Sequence, residues 1–222
     1  MTNTIRFVLL GDSDISRWSP ELYPRSDNND KVTNLGQSGA VLSELLLQLK
    51  KWRLEEQESP PDYINIFIAC AGENDISSGR SVDSILQTFR SFLDELFQNS
   101  QQQQNEQNHL IFLGPKFEPW LSADMSSRKQ YTKLSNAFER TIRKHPGFAT
   151  NRMVFIDCLT MFCTSETSSV PGAVHGGRAM PDETYFDEDG LHLSEAGYLV
   201  WKQIVEEQLG KMSTNVGITP SM

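Results

Sequence analysis

Residues 62–70 of this 222-residue chain, Asp62-Tyr63-Ile64-Asn65-Ile66-Phe67-Ile68-Ala69-Cys70, are apolar almost throughout and rich in β-branched and aromatic side chains. A strand with one wet face alternates polar and apolar residues, so an unbroken run of this kind belongs to a strand covered on both faces. Further strands are predicted over residues 5–10, 31–35, 109–114 and 152–157. Between them lie segments of helical period. Residues 40–57 put Val41, Leu45, Leu49 and Trp52 on one stripe, and residues 82–98 do the same with Val82, Ile85, Leu86, Phe89, Leu93 and Leu96 behind a cap at Ser81. Two more helices are predicted over 127–144 and 194–209, the last with Leu199, Val200, Ile204 and Val205 facing inward. Strands and helices alternate, so the predicted class is α/β: a three-layer α/β/α sandwich around a central, mostly parallel five-stranded sheet.

This length suffices for one large core, and residues 1–212 read as a single domain with a flexible tail at 213–222. The polar, low-complexity stretch 98–108 reads as a surface loop. Residues 163–186, which include Pro171, Gly172, Gly176, Gly177 and Pro181, read as a long loop facing substrate.

Composition excludes several functions. The net charge is −9 and the basic residues are scattered, which argues against a nucleic-acid partner. No apolar run approaches the ~18 residues of a membrane span, and the N-terminal run lacks the features of a secretory signal. Cys70, Cys158 and Cys163 are odd in number and have no metal-ligand spacing. Reduced cysteines and no leader point to a cytoplasmic protein, and since no His/Cys/Asp cluster has ligand spacing, no metal or other cofactor is expected. The oligomeric state is left open, with a homodimer as one option.

Four short motifs carry chemistry: Gly11-Asp12-Ser13, Asn34-Leu35-Gly36-Gln37-Ser38-Gly39, Gly72-Glu73-Asn74-Asp75 and Asp189-Gly190-Leu191-His192. Each alone is an ordinary turn. The first three follow predicted strand ends, where open α/β sheets place their ligand sites. A serine hydroxyl needs a base within reach, and that base needs an orienting group. His192 and Asp189 fit these roles, with Asp187 as the rival orienter. Of the other histidines, His109 starts a strand, His145 ends a helix and His175 sits in the long loop; none has an aspartate at matching spacing, and His175 is kept as a substrate contact.

The set resembles the SGNH (GDSL-type) hydrolases, whose serine, glycine, asparagine and histidine fall here on Ser13, Gly36, Asn74 and His192. The resemblance spans residues 11–192 and implies a serine esterase that forms an acyl-enzyme: Ser13 attacks, His192 shuttles the proton and Asp189 orients it. It implies an oxyanion hole made by the Ser13 and Gly36 N–H groups and the Asn74 amide, with Gly36 lacking a Cβ so that substrate can approach. The short layout is most similar to intracellular members like the catalytic subunits of platelet-activating factor acetylhydrolase, and the expected substrate is a small short-chain acyl ester. A thioesterase or lysophospholipase on the same site, and a non-enzymatic binding member of the fold, are the alternatives.

One position departs from that pattern. The residue after the serine, usually apolar, is Asp14. Asp14 has three readings: it favours the charged imidazolium of His192, it repels anionic substrates, or it caps a short segment starting at Ile15, the reading preferred here. In Gly114-Pro115-Lys116-Phe117-Glu118-Pro119-Trp120, Phe117 and Trp120 are candidate walls of the acyl pocket, against the alternative that they tuck into the core.

Overall fold

The computed structural model describes residues 4–24, 30–55, 63–98, 107–165 and 179–216. Five strands, β1 (Thr4–Gly11), β2 (Lys31–Asn34), β3 (Tyr63–Cys70), β4 (Gln107–Leu113) and β5 (Met153–Ile156), form one sheet in the order β2-β1-β3-β4-β5. Every pairing in it is parallel. The helices are α1 (Ser13–Arg17), α2 (Leu42–Glu55), α3 (Glu73–Ser77), α4 (Val82–Gln98), α5 (Met125–Lys144), α6 (Pro146–Ala149) and α7 (Glu195–Val216). The apolar stripes of α2, α4 and α5 bury Leu45, Leu49, Trp52, Phe89, Leu93, Leu134 and Phe138 against one face of the sheet. On the opposite face Ile15 of α1 and Tyr198, Trp201 and Val205 of α7 pack on Phe7, Leu9, Ile66 and Ile111. These are the three expected layers.

The predicted strands and long helices are present, with corrections at their ends. Ser81 caps α4 as expected, its Oγ accepting the Ser84 N–H at 3.3 Å. In α7 Val205 is buried as expected and Val200 and Ile204 pack half-buried against the same cluster, joined by Tyr198 and Trp201, whereas Leu199 is 49% exposed. That helix also continues to Val216, past its predicted end and into the residues read as a tail. The segment 163–186 is not all loop. Its ends pair as an antiparallel ribbon of β6 (Cys163–Ser165) and β7 (Ala179–Pro181). His175 and most of the stretch 98–108 lie outside the described residues.

A polar row crosses this apolar sheet. Arg6 on β1, Asn65 on β3 and Asn108 on β4 are register partners, and all three are buried. Arg6 Nε donates to Asn65 Oδ1 at 2.8 Å, Asn65 Nδ2 to Asn108 Oδ1 at 3.0 Å, and Asn108 Nδ2 to the Leu96 carbonyl at 3.0 Å. The Arg6 guanidinium also lies 4.7 Å from the Trp52 ring centre, so its charge is not left bare. Among the described residues no helix is long and apolar enough to cross a membrane.

Candidate active site

β1 ends on Gly11, whose backbone is held from the side. The Gln48 amide donates to the Gly11 carbonyl and accepts the Gly11 N–H, each at 2.9 Å. The chain then turns into α1, where Asp12 accepts the Asp14 N–H at 3.1 Å as the cap and Ser13 is the first helical residue. First-turn N–H groups have no acceptor within their helix, and the Ser13 N–H is one of them. Asp12, not Asp14, is therefore the cap. The Asp14 carboxylate turns inward instead.

Asn34 at the end of β2 fastens the next loop to α1: its Nδ2 donates to the Ile15 carbonyl at 2.7 Å, and its Oδ1 accepts the Gly36 N–H at 2.8 Å. A Cβ on Gly36 would lie 2.4 Å from the Ser16 nitrogen. The missing side chain thus admits the backbone of α1, and the Gly36 N–H already has an acceptor in Asn34.

After β3, Gly72 takes a φ of 119°, a left-handed conformation that favours glycine, and so starts α3 within one residue. Asn74 Nδ2 donates to the Ala40 carbonyl at 3.1 Å, which spends one of its two protons. Asp75 accepts the Leu42 N–H at 2.8 Å and pairs with Arg80 at 2.7 Å, tying this turn to the start of α2.

The Asp189 to His192 turn precedes α7. Asp189 Oδ1 accepts the backbone N–H groups of Leu191 and His192 at 2.9 and 3.0 Å, and its Oδ2 lies 2.6 Å from His192 Nδ1. These bonds, the His192 N–H first, hold the Asp189 carboxyl well below the usual carboxylate range. Arg17 lies 3.7 Å from both Asp187 and Asp189, and it is Asp189 whose carboxylate meets the imidazole, which favours it over its rival. Ser13, Asn74 and His192 line one small pocket of about 20 Å³, together with Asp14, Glu118 and Tyr131. A larger groove of about 390 Å³ runs between α4 and α5 past Arg90, Arg140 and His145, and holds none of the motif residues.

Beneath the pocket lies a charge cluster. Lys116, 1% exposed, puts its Nζ 2.6 Å from Asp14, 3.0 Å from Glu73 and 3.3 Å from Glu118. Burial works against the ammonium, but the three carboxylates outweigh it and hold its pKa well above the ordinary lysine value. Glu118 is pushed up to about 9, by burial first and then by the Glu73 charge. Its carboxyl oxygens also accept from Trp120 Nε1 and, at 3.5 Å, from the Tyr131 hydroxyl. Asp12 is raised too, by burial and then by Asp14 and Glu73. Cys70 sits near this cluster but is no rival nucleophile, because burial and then the Asp12 charge push its thiol up.

Phe117 does not wall the pocket. It is buried in the core with the Arg128 guanidinium 4.0 Å from its ring centre. Trp120 is 45% exposed and stands outside the pocket lining. Lys116, Glu73 and Glu118 lie in or beside the motifs but carry no role that the motifs themselves imply. The available signal was Asp14 itself, since a carboxylate beside the nucleophile demands a cation once it is buried.

No curated protein matches the chain in sequence. Among solved structures it is similar to a candidate platelet activating factor from Streptococcus pneumonia, at 18% identity and TM-score 0.63 over 94% of this chain and 85% of that one. A lipolytic G-D-S-L family member from Veillonella parvula is 16% identical, with TM-score 0.60 over 92% and 97% of the two chains. An aryl esterase from M. smegmatis is 14% identical, with TM-score 0.59 over 94% and 100%. At such identities these likenesses speak for the fold; the family is given by sequence, because residues 9–200 match the profile of the GDSL-like lipase/acylhydrolases, and the chain belongs to that family of hydrolases.

Proposed function

We propose that the protein is a serine esterase that hydrolyses small short-chain acyl esters through an acyl-enzyme. The observation that carries this reading is the 2.6 Å contact of Asp189 with His192 Nδ1, which leaves Nε2 of the same ring for Ser13 in a shared pocket. In the first step the Ser13 Oγ–carbonyl carbon bond forms as His192 Nε2 takes the hydroxyl proton. The tetrahedral intermediate then expels the alcohol, which leaves with that proton. Water repeats the sequence on the acyl-Ser13 ester, giving the carboxylic acid and restoring the serine. The Ser13 N–H and the second Asn74 amide proton serve the oxyanion, and Gly36 joins them by sharing its N–H with Asn34.

A thioesterase or lysophospholipase on the same site would need a longer apolar pocket, so the dependence of rate on acyl-chain length separates the readings. The test is hydrolysis of p-nitrophenyl esters from acetate to palmitate by the wild type, Ser13→Ala and His192→Ala. Turnover that falls with chain length and vanishes in both variants supports the reading; turnover retained in Ser13→Ala removes that serine from the role.

A further inference from the structure

Each carboxylate on Lys116 that comes from another part of the chain is the sequence neighbour of a site residue. Asp14 follows Ser13, and Glu73 precedes Asn74. The ammonium bonds Asp14 at 2.6 Å and Glu73 at 3.0 Å, and the Lys116 backbone N–H donates to the other Glu73 oxygen at 2.7 Å. The third block is reached through Asp14. Its Oδ1 accepts the N–H of Leu193, the residue after His192, at 3.4 Å, and its carbonyl accepts the Tyr198 hydroxyl of α7 at 2.8 Å. Strand ends at three places in the sheet are thereby joined at one nitrogen.

We infer that Lys116 is the positioning residue of this site, holding the segments of Ser13, Asn74 and His192 at one mutual geometry through Asp14 and Glu73. The inference rests on the esterase reading above. Stability alone explains such a cluster poorly, because the desolvation of buried charges offsets much of their attraction, and apolar replacements of equal volume are often as stable. Geometry explains it better. A short charge-assisted hydrogen bond fixes distance and direction together, which apolar packing does less sharply. Catalysis is sensitive to that sharpness, since a displacement of ~1 Å at reacting groups costs on the order of 10²-fold in rate.

The test measures kcat and KM of the wild type, Ser13→Ala and Lys116→Met on p-nitrophenyl acetate, with the acyl-enzyme burst counting the competent serines. Lys116→Met is expected to lower kcat per competent serine by roughly 100-fold with KM changed far less. A merely structural lysine would lower the melting temperature and the number of competent serines, and leave kcat per serine at the wild-type value. Where Lys116→Met does not fold, the near-isosteric Asp14→Asn and Glu73→Gln take its place, each expected to lose about tenfold or more in kcat per competent serine. Wild-type kcat per serine in the folded variants overturns the inference alone. A wild type without turnover, or a fully active Ser13→Ala, overturns the esterase reading and this inference with it.

Discussion

Asp189 holds His192 at two levels, accepting the backbone N–H on one carboxylate oxygen and meeting the ring Nδ1 at 2.6 Å on the other. Orientation of the ring is thus set within a four-residue turn, without help from a distant strand. Because the carboxylate is 41% exposed, its value is in direction more than in buried charge. Asp189→Asn keeps the shape but puts an amide donor against the ring, which selects the wrong tautomer. The expected outcome is a loss of kcat of roughly 10³- to 10⁴-fold with an unchanged circular dichroism spectrum, read by steady-state kinetics.

Asn74 differs from Asp189 in what it touches. Its amide is anchored on the Ala40 carbonyl and has one proton left for a developing oxyanion. Asn74→Ala should therefore reduce kcat by about 10²- to 10³-fold and move KM little, since the bond forms mainly in the transition state. An equal rise in KM with kcat intact would show that Asn74 binds the ground state instead.

Gly36→Ala tests packing rather than chemistry. The new Cβ would sit 2.4 Å from the Ser16 nitrogen and 2.7 Å from the Ile15 carbonyl carbon, and neither backbone atom can step aside cheaply. A loss of about 1–3 kcal/mol is expected, at about 2–4 °C in melting temperature per kcal/mol. Thermal unfolding followed at 222 nm would read it.

His109 on β4 is buried, and neither ring nitrogen finds a partner among the described residues. Burial, and then the Arg152 charge, lowers its pKa to about 4. The unfolded chain binds a proton near pH 6.5 while the folded one does not, so stability is fully present above pH 6.5 and drains away as the pH falls toward 4. The loss over that window is roughly 3 kcal/mol. His109→Leu should flatten this limb of the stability profile and raise stability at pH 5, as urea titrations at pH 7 and pH 5 would reveal.

How much of this was legible beforehand follows from range. The strands were readable because a two-sided strand needs a contiguous apolar run, and the long helices because their stripes repeat within a few residues. The four motifs announced Ser13, Asn74, Asp189 and His192 because each is a local turn with its own chemistry. Lys116 was hidden: its bond to Asp14 spans 102 positions, and nothing near residue 116 points to residue 14. The aromatic neighbours drew attention instead, yet Phe117 serves the core and Trp120 bonds Glu118. The short α1 and α3 were equally opaque, because five residues are too few to show a period.

The row of Arg6, Asn65 and Asn108 has a consequence for assembly of the sheet. Strands that are greasy on both faces can slide past one another by two residues and still bury the same amount of oil. Such a slip would set Arg6 opposite Phe67 and abandon a guanidinium inside the protein. The three polar side chains act as the teeth of a key: they lend the sheet little strength, but they let only one alignment close.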